Sequence, residues 1–173
     1  MESSGSEIPK KEQEAAAESI AVGAIKYSLL KVGVGRDIVF DLEKSLSLEG
    51  DSGPYLQYTY ARCKSILRKL SSAKFAPIKL SSAKFSPEEV ALLRTLYKFP
   101  EVVKEAAEKF SPNLICNFVF DLAQCYNLFY NTNPVLKAET KEVRNFRLLL
   151  TAAVAQVIKN SLSLLGIKTL ERM

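Results

Sequence analysis

The amino-acid sequence predicts an all-α protein, an antiparallel helical bundle with one short strand-like segment near residues 37–41. Two observations carry this. Apolar residues recur at three- and four-residue spacing through most of the chain. Proline-led starts such as "SPEE" and "SPNL" divide it into helix-length segments joined by short turns.

Residues 1 to about 10 read as a frayed end. From Lys11 to Lys31 the alanine content and an apolar line at Ile20, Ala24 and Tyr27 favour helix. "GVGRD" ends it. Gly33 and Gly35 belong to a plain turn, because neither a third glycine nor a GK[ST] follows to cradle phosphate. "DIVFD", Asp37 to Asp41, is the strand-like run, and "LEKSLSLEG" gives one or two helical turns stopped by Gly50. A helix then starts near Asp51 to Pro54 and runs to about Leu70, capped by Asp51 or Ser52 with Pro54 in its first turn.

"KLSSAKF" occurs at 69–75 and again at 79–85. Two copies of so short a period do not make a solenoid, and the plain reading is a lengthened basic loop. Ser86, Pro87 and Glu89 then form a capping box. Helices restart at Pro100 and at Ser111-Pro112. The helix from Pro112 carries Ile115, Phe118, Leu122, Cys125 and Phe129 on its apolar face, with Gln124, Asn127 and Asn131 on another. The last helix spans roughly Thr140 to Leu165, with an expected core face of Phe146, Leu150, Ala153, Val157 and Leu164, and stops at Gly166.

Composition excludes several functions. There is no histidine, so Ser-His-Asp and Cys-His catalysis, His-ligated metal and a His pH switch are excluded within this chain. Cys63, Cys116 and Cys125 are odd in number and lack a CxxC spacing, which signals neither a disulfide framework nor a zinc site. A reducing cytoplasm fits that usage. The longest apolar stretch, Phe146 to Ile158, is interrupted by Arg147 and Gln156, and no membrane partner is expected. Acidic residues are scattered and mostly sit in helix first turns, where the dipole favours them, so no catalytic constellation is read.

Two stretches could bind RNA. No Asp or Glu lies between Ser52 and Pro87, whereas Arg62, Lys64, Arg68, Lys69, Lys74, Lys79 and Lys84 all do. Such a run is either a solvated face or a set of phosphate contacts. Tyr55, Tyr58 and Arg62 are spaced i, i+3, i+7 on one helix face. Tyr and Arg planes stack on unpaired bases, and half-buried packing is the competing role. In "QCYNLFYNTN", the amides of Gln124, Asn127 and Asn131 lie near Tyr126 and Tyr130 and suit base edges, with a polar bundle surface as the alternative.

"AVGAIKYSLL", "DIVFDLEKSLSLEGDSGPYLQYTYAR", "LLRTLYKFPEVVKEAAE", "ICNFVFDLAQCYNLFYNTNPVL" and the closing "LLGIKTLERM" resemble the C-terminal part of arginyl-tRNA synthetase, a class I enzyme. The resemblance runs from about Glu18 to Met173. It implies a stem-contact or linker region over 1–48, after a catalytic domain this chain lacks, and an anticodon-binding helical domain over 49–173. It places anticodon contacts on Tyr55, Tyr58, Arg62, Tyr130 and Met173, and implies a pocket that receives splayed-out anticodon bases, the second one included. The HIGH-type and KMSK-type motifs are absent, so the chain is not expected to be catalytic alone, and ATP and magnesium belong to the missing catalytic domain. The expected function is binding of the arginine tRNA anticodon stem-loop by a cytoplasmic monomer. The alternative is a helical protein-interaction module that has lost tRNA binding and docks on a partner, such as a separate catalytic domain.

Overall fold

A computed structural model describes residues 10–69 and 85–173. The expected frayed end, most of the KLSSAKF repeat, and Lys74, Lys79 and Lys84 lie outside the described residues.

Every regular element of the described chain is a helix. Its elements are α1 (Lys10–Leu30), α2 (Leu42–Leu46), α3 (Gly53–Arg68), α4 (Pro87–Tyr97), α5 (Phe99–Glu108), α6 (Asn113–Thr132) and α7 (Lys141–Leu164). Local chemistry sets most starts. Ser52, not Asp51, caps α3, its hydroxyl accepting from the Tyr55 amide at 3.2 Å. Ser86 and Glu89 close the expected capping box at α4. Thr140 caps α7 by accepting from the Val143 amide at 3.2 Å.

The expected strand at 37–41 does not form. Ile38 is 48% exposed, Val39 92% and Phe40 45%, and no ladder pairs with them among the described residues. A strand needs a neighbour for its backbone donors and acceptors. Here Asp41 instead caps α2, its carboxylate accepting from the Lys44 amide at 3.0 Å.

The core is built from Leu56, Tyr60, Cys63 and Ile66 of α3, Ile115, Val119, Leu122 and Phe129 of α6, and Val154, Ile158 and Leu162 of α7. α1 joins it through Tyr27, which is fully buried and donates to Asp51 Oδ1 at 2.6 Å. α1 and α3 cross so closely that a Cβ at residue 53 would lie 2.6 Å from the Gly23 carbonyl oxygen. Glycine is required there by space rather than by backbone angle.

The expected core face of α7 is displaced by one residue. Leu150 is buried as expected, but Ala153 and Leu164 are exposed and Phe146 and Val157 only partly buried. The buried line is Arg147, Thr151, Val154, Ile158, Ser161 and Leu165. Polar residues tolerate it because each has an internal partner. Thr151 Oγ1 donates to the Arg147 carbonyl at 2.8 Å and Ser161 Oγ to the Val157 carbonyl at 2.9 Å. Arg147 Nε meets Glu89 Oε1 at 2.7 Å.

Cys63 and Cys116 are fully buried, and burial pushes each thiol up from 9.0 to about 12. A raised folded-state value means the contribution of the neutral thiol is intact below the unfolded-state value and is lost as pH climbs towards the folded one. Urea midpoints should therefore fall as pH rises from 9.0 to about 12. With a small disulfide reagent near neutral pH, partly exposed Cys125 should react first. Cys63 and Cys116 should react only in denaturant. Three equally fast thiols would contradict this packing.

Candidate nucleic-acid interface

α3 and α6 bring five of the expected residues into one connected set, starting from the face that carries Tyr55, Tyr58 and Arg62. The Arg62 guanidinium carbon lies 4.9 Å from the centre of the Tyr58 ring and 5.6 Å from that of Tyr130. A cation held over ring faces is attracted by their negative quadrupole. Tyr130 in turn stacks on buried Tyr126, with centroids 6.3 Å apart and planes at 24°. Burial keeps the Tyr126 phenol protonated well above its ordinary value, so this floor stays neutral.

A hydrogen-bonded chain fixes the rest. Arg62 Nη1 donates to Asn127 Oδ1 at 2.7 Å, and Asn127 Nδ2 donates to the Tyr55 hydroxyl at 2.7 Å. The Tyr55 ring meets Phe120 edge-on, with centroids 5.9 Å apart. Tyr58 and Tyr130 are 36% and 38% exposed, enough to offer ring surface to a ligand.

Gln124 and Asn131 are exposed on α6 and join this network by no hydrogen bond, nor does Met173, which is 41% exposed. Two residues before Met173, Glu171 clasps the C-terminal segment to α3. Its carboxylate accepts from the Tyr60 hydroxyl at 3.0 Å and pairs with Lys64 at 3.3 Å, while its carbonyl accepts from Arg68 Nη1 at 2.7 Å. The Tyr60 phenol is held above its ordinary value by burial and then by this carboxylate. Tyr60, Lys64 and Arg68 lie roughly 140° around α3 from Tyr58 and Arg62, so the clasp and the ring cluster occupy different sides of the helix.

Lys64 and Arg68 are thus not bare cations. A phosphate reaching them would compete with Glu171. Lys69, at the end of α3, is exposed and joins no ion pair among the described residues. No local pattern in the chain singles out Glu171. Nor does one single out Gln57, which is fully buried and donates to the Lys168 carbonyl at 2.8 Å, tying the same segment to α3.

A family model described as the DALR anticodon binding domain matches residues 56–173. The arginine–tRNA ligase of Pyrococcus abyssi is 44% identical over 168 residues, which is 96% of this chain and 27% of that protein. The arginine–tRNA ligase of Thermococcus kodakarensis is 41% identical over 179 residues, covering 100% of this chain and 28% of that protein. Among solved structures, the arginyl-tRNA synthetase of Thermus thermophilus matches with a TM-score of 0.87 at 38% identity, over 98% of this chain and 29% of that one. The chain therefore spans less than a third of the length of these relatives. With this match over residues 56–173 and an all-helical fold of the same kind, the chain belongs to the DALR anticodon binding domain family.

Proposed function

We propose that the chain reads the anticodon loop of an arginine tRNA, as the anticodon-binding part of an arginine–tRNA ligase. The observation that supports this best is the Arg62 guanidinium lying against the rings of both Tyr58 and Tyr130. Unpaired bases stack on such planes whatever their identity, and the hydrogen-bonding groups beside them confer selectivity. Lys69 supplies charge near the phosphates, together with Lys74, Lys79 and Lys84. In this reading residues 1–48 link the domain to a catalytic unit that holds ATP and magnesium. The protein works as a monomer in the cytoplasm, and Met173 lends the loop an apolar contact.

The test is binding of an arginine tRNA anticodon stem-loop across a salt series. Each neutralised phosphate of a single strand contributes about −0.7 to the slope of log affinity against log salt. About four contacts would lower affinity roughly 50-fold between about 50 and 200 mM salt. Failure to bind at the lowest salt would reject the proposal.

One observation favours a second reading. Val22, Ile25 and Leu29 of α1 are 44%, 48% and 44% exposed, and the connection between α1 and α2 also exposes Ile38, Val39 and Phe40. Apolar surface of that kind suits a protein partner. A chain that had lost tRNA binding would dock through this face, with little dependence on salt and no affinity for the stem-loop.

A further inference from the structure

We infer that Asn127 is a positioning residue that sets the polarity of the ring cluster: it turns Tyr55 into a hydrogen-bond donor beside Arg62, so that the site takes an RNA edge offering acceptors. The inference rests on the reading of the chain as a binder of the anticodon loop.

The donors and acceptors present fix the orientation of the Asn127 amide. Arginine has only donors, so the amide atom 2.7 Å from Arg62 Nη1 must be the Asn127 oxygen. Turning the amide over would set N–H against N–H. That choice directs Nδ2 at the Tyr55 hydroxyl, 2.7 Å away, and an amide NH2 can only donate. The Tyr55 oxygen therefore accepts, and its own proton is left for another partner. Arg62 gives one N–H to Asn127 and commits no other among the described residues. The two groups that flank Asn127 are consequently both donors.

Asn127 itself has its oxygen and its NH2 committed inside the protein. The role of base-edge contact expected for it from the sequence passes to Tyr55 and Arg62, which it orients. Tyr55 is only partly buried, and the edge of Phe120 steadies its ring. Aspartate at position 127 would have the same shape but two acceptors. One oxygen would keep Arg62. The other would draw the Tyr55 proton inward and silence it as a donor.

The experiment is a double-mutant cycle of Tyr55→Phe and Asn127→Asp. Binding to the arginine tRNA anticodon stem-loop is measured across a salt series, and thermal midpoints are recorded for every variant. In the unaltered protein Tyr55→Phe should weaken binding roughly 2- to 12-fold, the range of a single hydrogen bond. Asn127→Asp should show that loss plus a salt-dependent part from its charge. Adding Tyr55→Phe to Asn127→Asp should then cost less than about twofold more, because the donor is already gone. Equal cost of Tyr55→Phe in both backgrounds would overturn the inference, as would binding losses that simply follow the midpoints. If the unaltered chain binds no stem-loop at any salt, the anticodon reading fails instead. The positioning role is then decided on the free chain by the NMR signals of the Asn127 side-chain amide. Signals that shift on Tyr55→Phe support the coupling, and unmoved signals overturn it.

Discussion

Arg147→Ala is expected to cost the fold about 3–5 kcal/mol, the usual penalty for stranding one member of a buried ion pair. Arg147 and Glu89 are 7% and 2% exposed. The guanidinium reaches three places at once: Glu89 Oε1 at 2.7 Å, the Pro134 carbonyl at 3.0 Å and Asn133 Oδ1 at 3.4 Å. It therefore ties the start of α4 and the turn after α6 to α7. Glu89 has a second duty, since its Oε2 accepts from the Ser86 amide at 2.8 Å. Alanine would leave that carboxylate buried with its cap but without its cation. The loss is a large share of the roughly 5–15 kcal/mol that holds a typical domain. Urea titration measures it. Replacing both partners by apolar residues of similar volume should recover part of the loss. A cost below about 1 kcal/mol for Arg147→Ala would show that the pair does not bear on stability.

Tyr58→Ala is expected to weaken stem-loop binding by about 1–3 kcal/mol, the range for one stacked base, with little change in stability. The ring is 36% exposed, so its removal opens no cavity in the core. It also removes the plane against which Arg62 rests. Lys69→Ala should behave differently. It touches charge alone, so it should weaken every RNA by a similar factor and make the salt slope shallower. Calorimetric titration of both variants across a salt series separates the two. A Tyr58→Ala variant that binds within twofold of the parent would mean that the ring packs rather than stacks.

Where the chemistry is local, the chain could be read directly. The caps at Ser52 and Ser86 involve partners three residues away, and both helices begin there. The i, i+3, i+7 spacing of Tyr55, Tyr58 and Arg62 likewise survives in the structure as one face. Long-range partners were not legible. Asn127 and Tyr55 are 72 residues apart, and Tyr60 and Glu171 are separated by 111. The core face of α7 failed for the same reason. Arg147, Thr151 and Ser161 count as surface residues by type, but each is satisfied within the bundle and sits inside. The run at 37–41 has strand-like residues, but strand formation depends on a neighbour that the described residues do not offer.

The most direct measurement compares the arginine tRNA anticodon stem-loop with the same loop made abasic at its second anticodon position. The phosphates are unchanged, so both should show the same salt slope. If the rings of Tyr58 and Tyr130 receive that base, the abasic loop should bind more weakly by about 1–3 kcal/mol. Equal affinity for the two loops would show that the domain holds only the backbone and does not read the base.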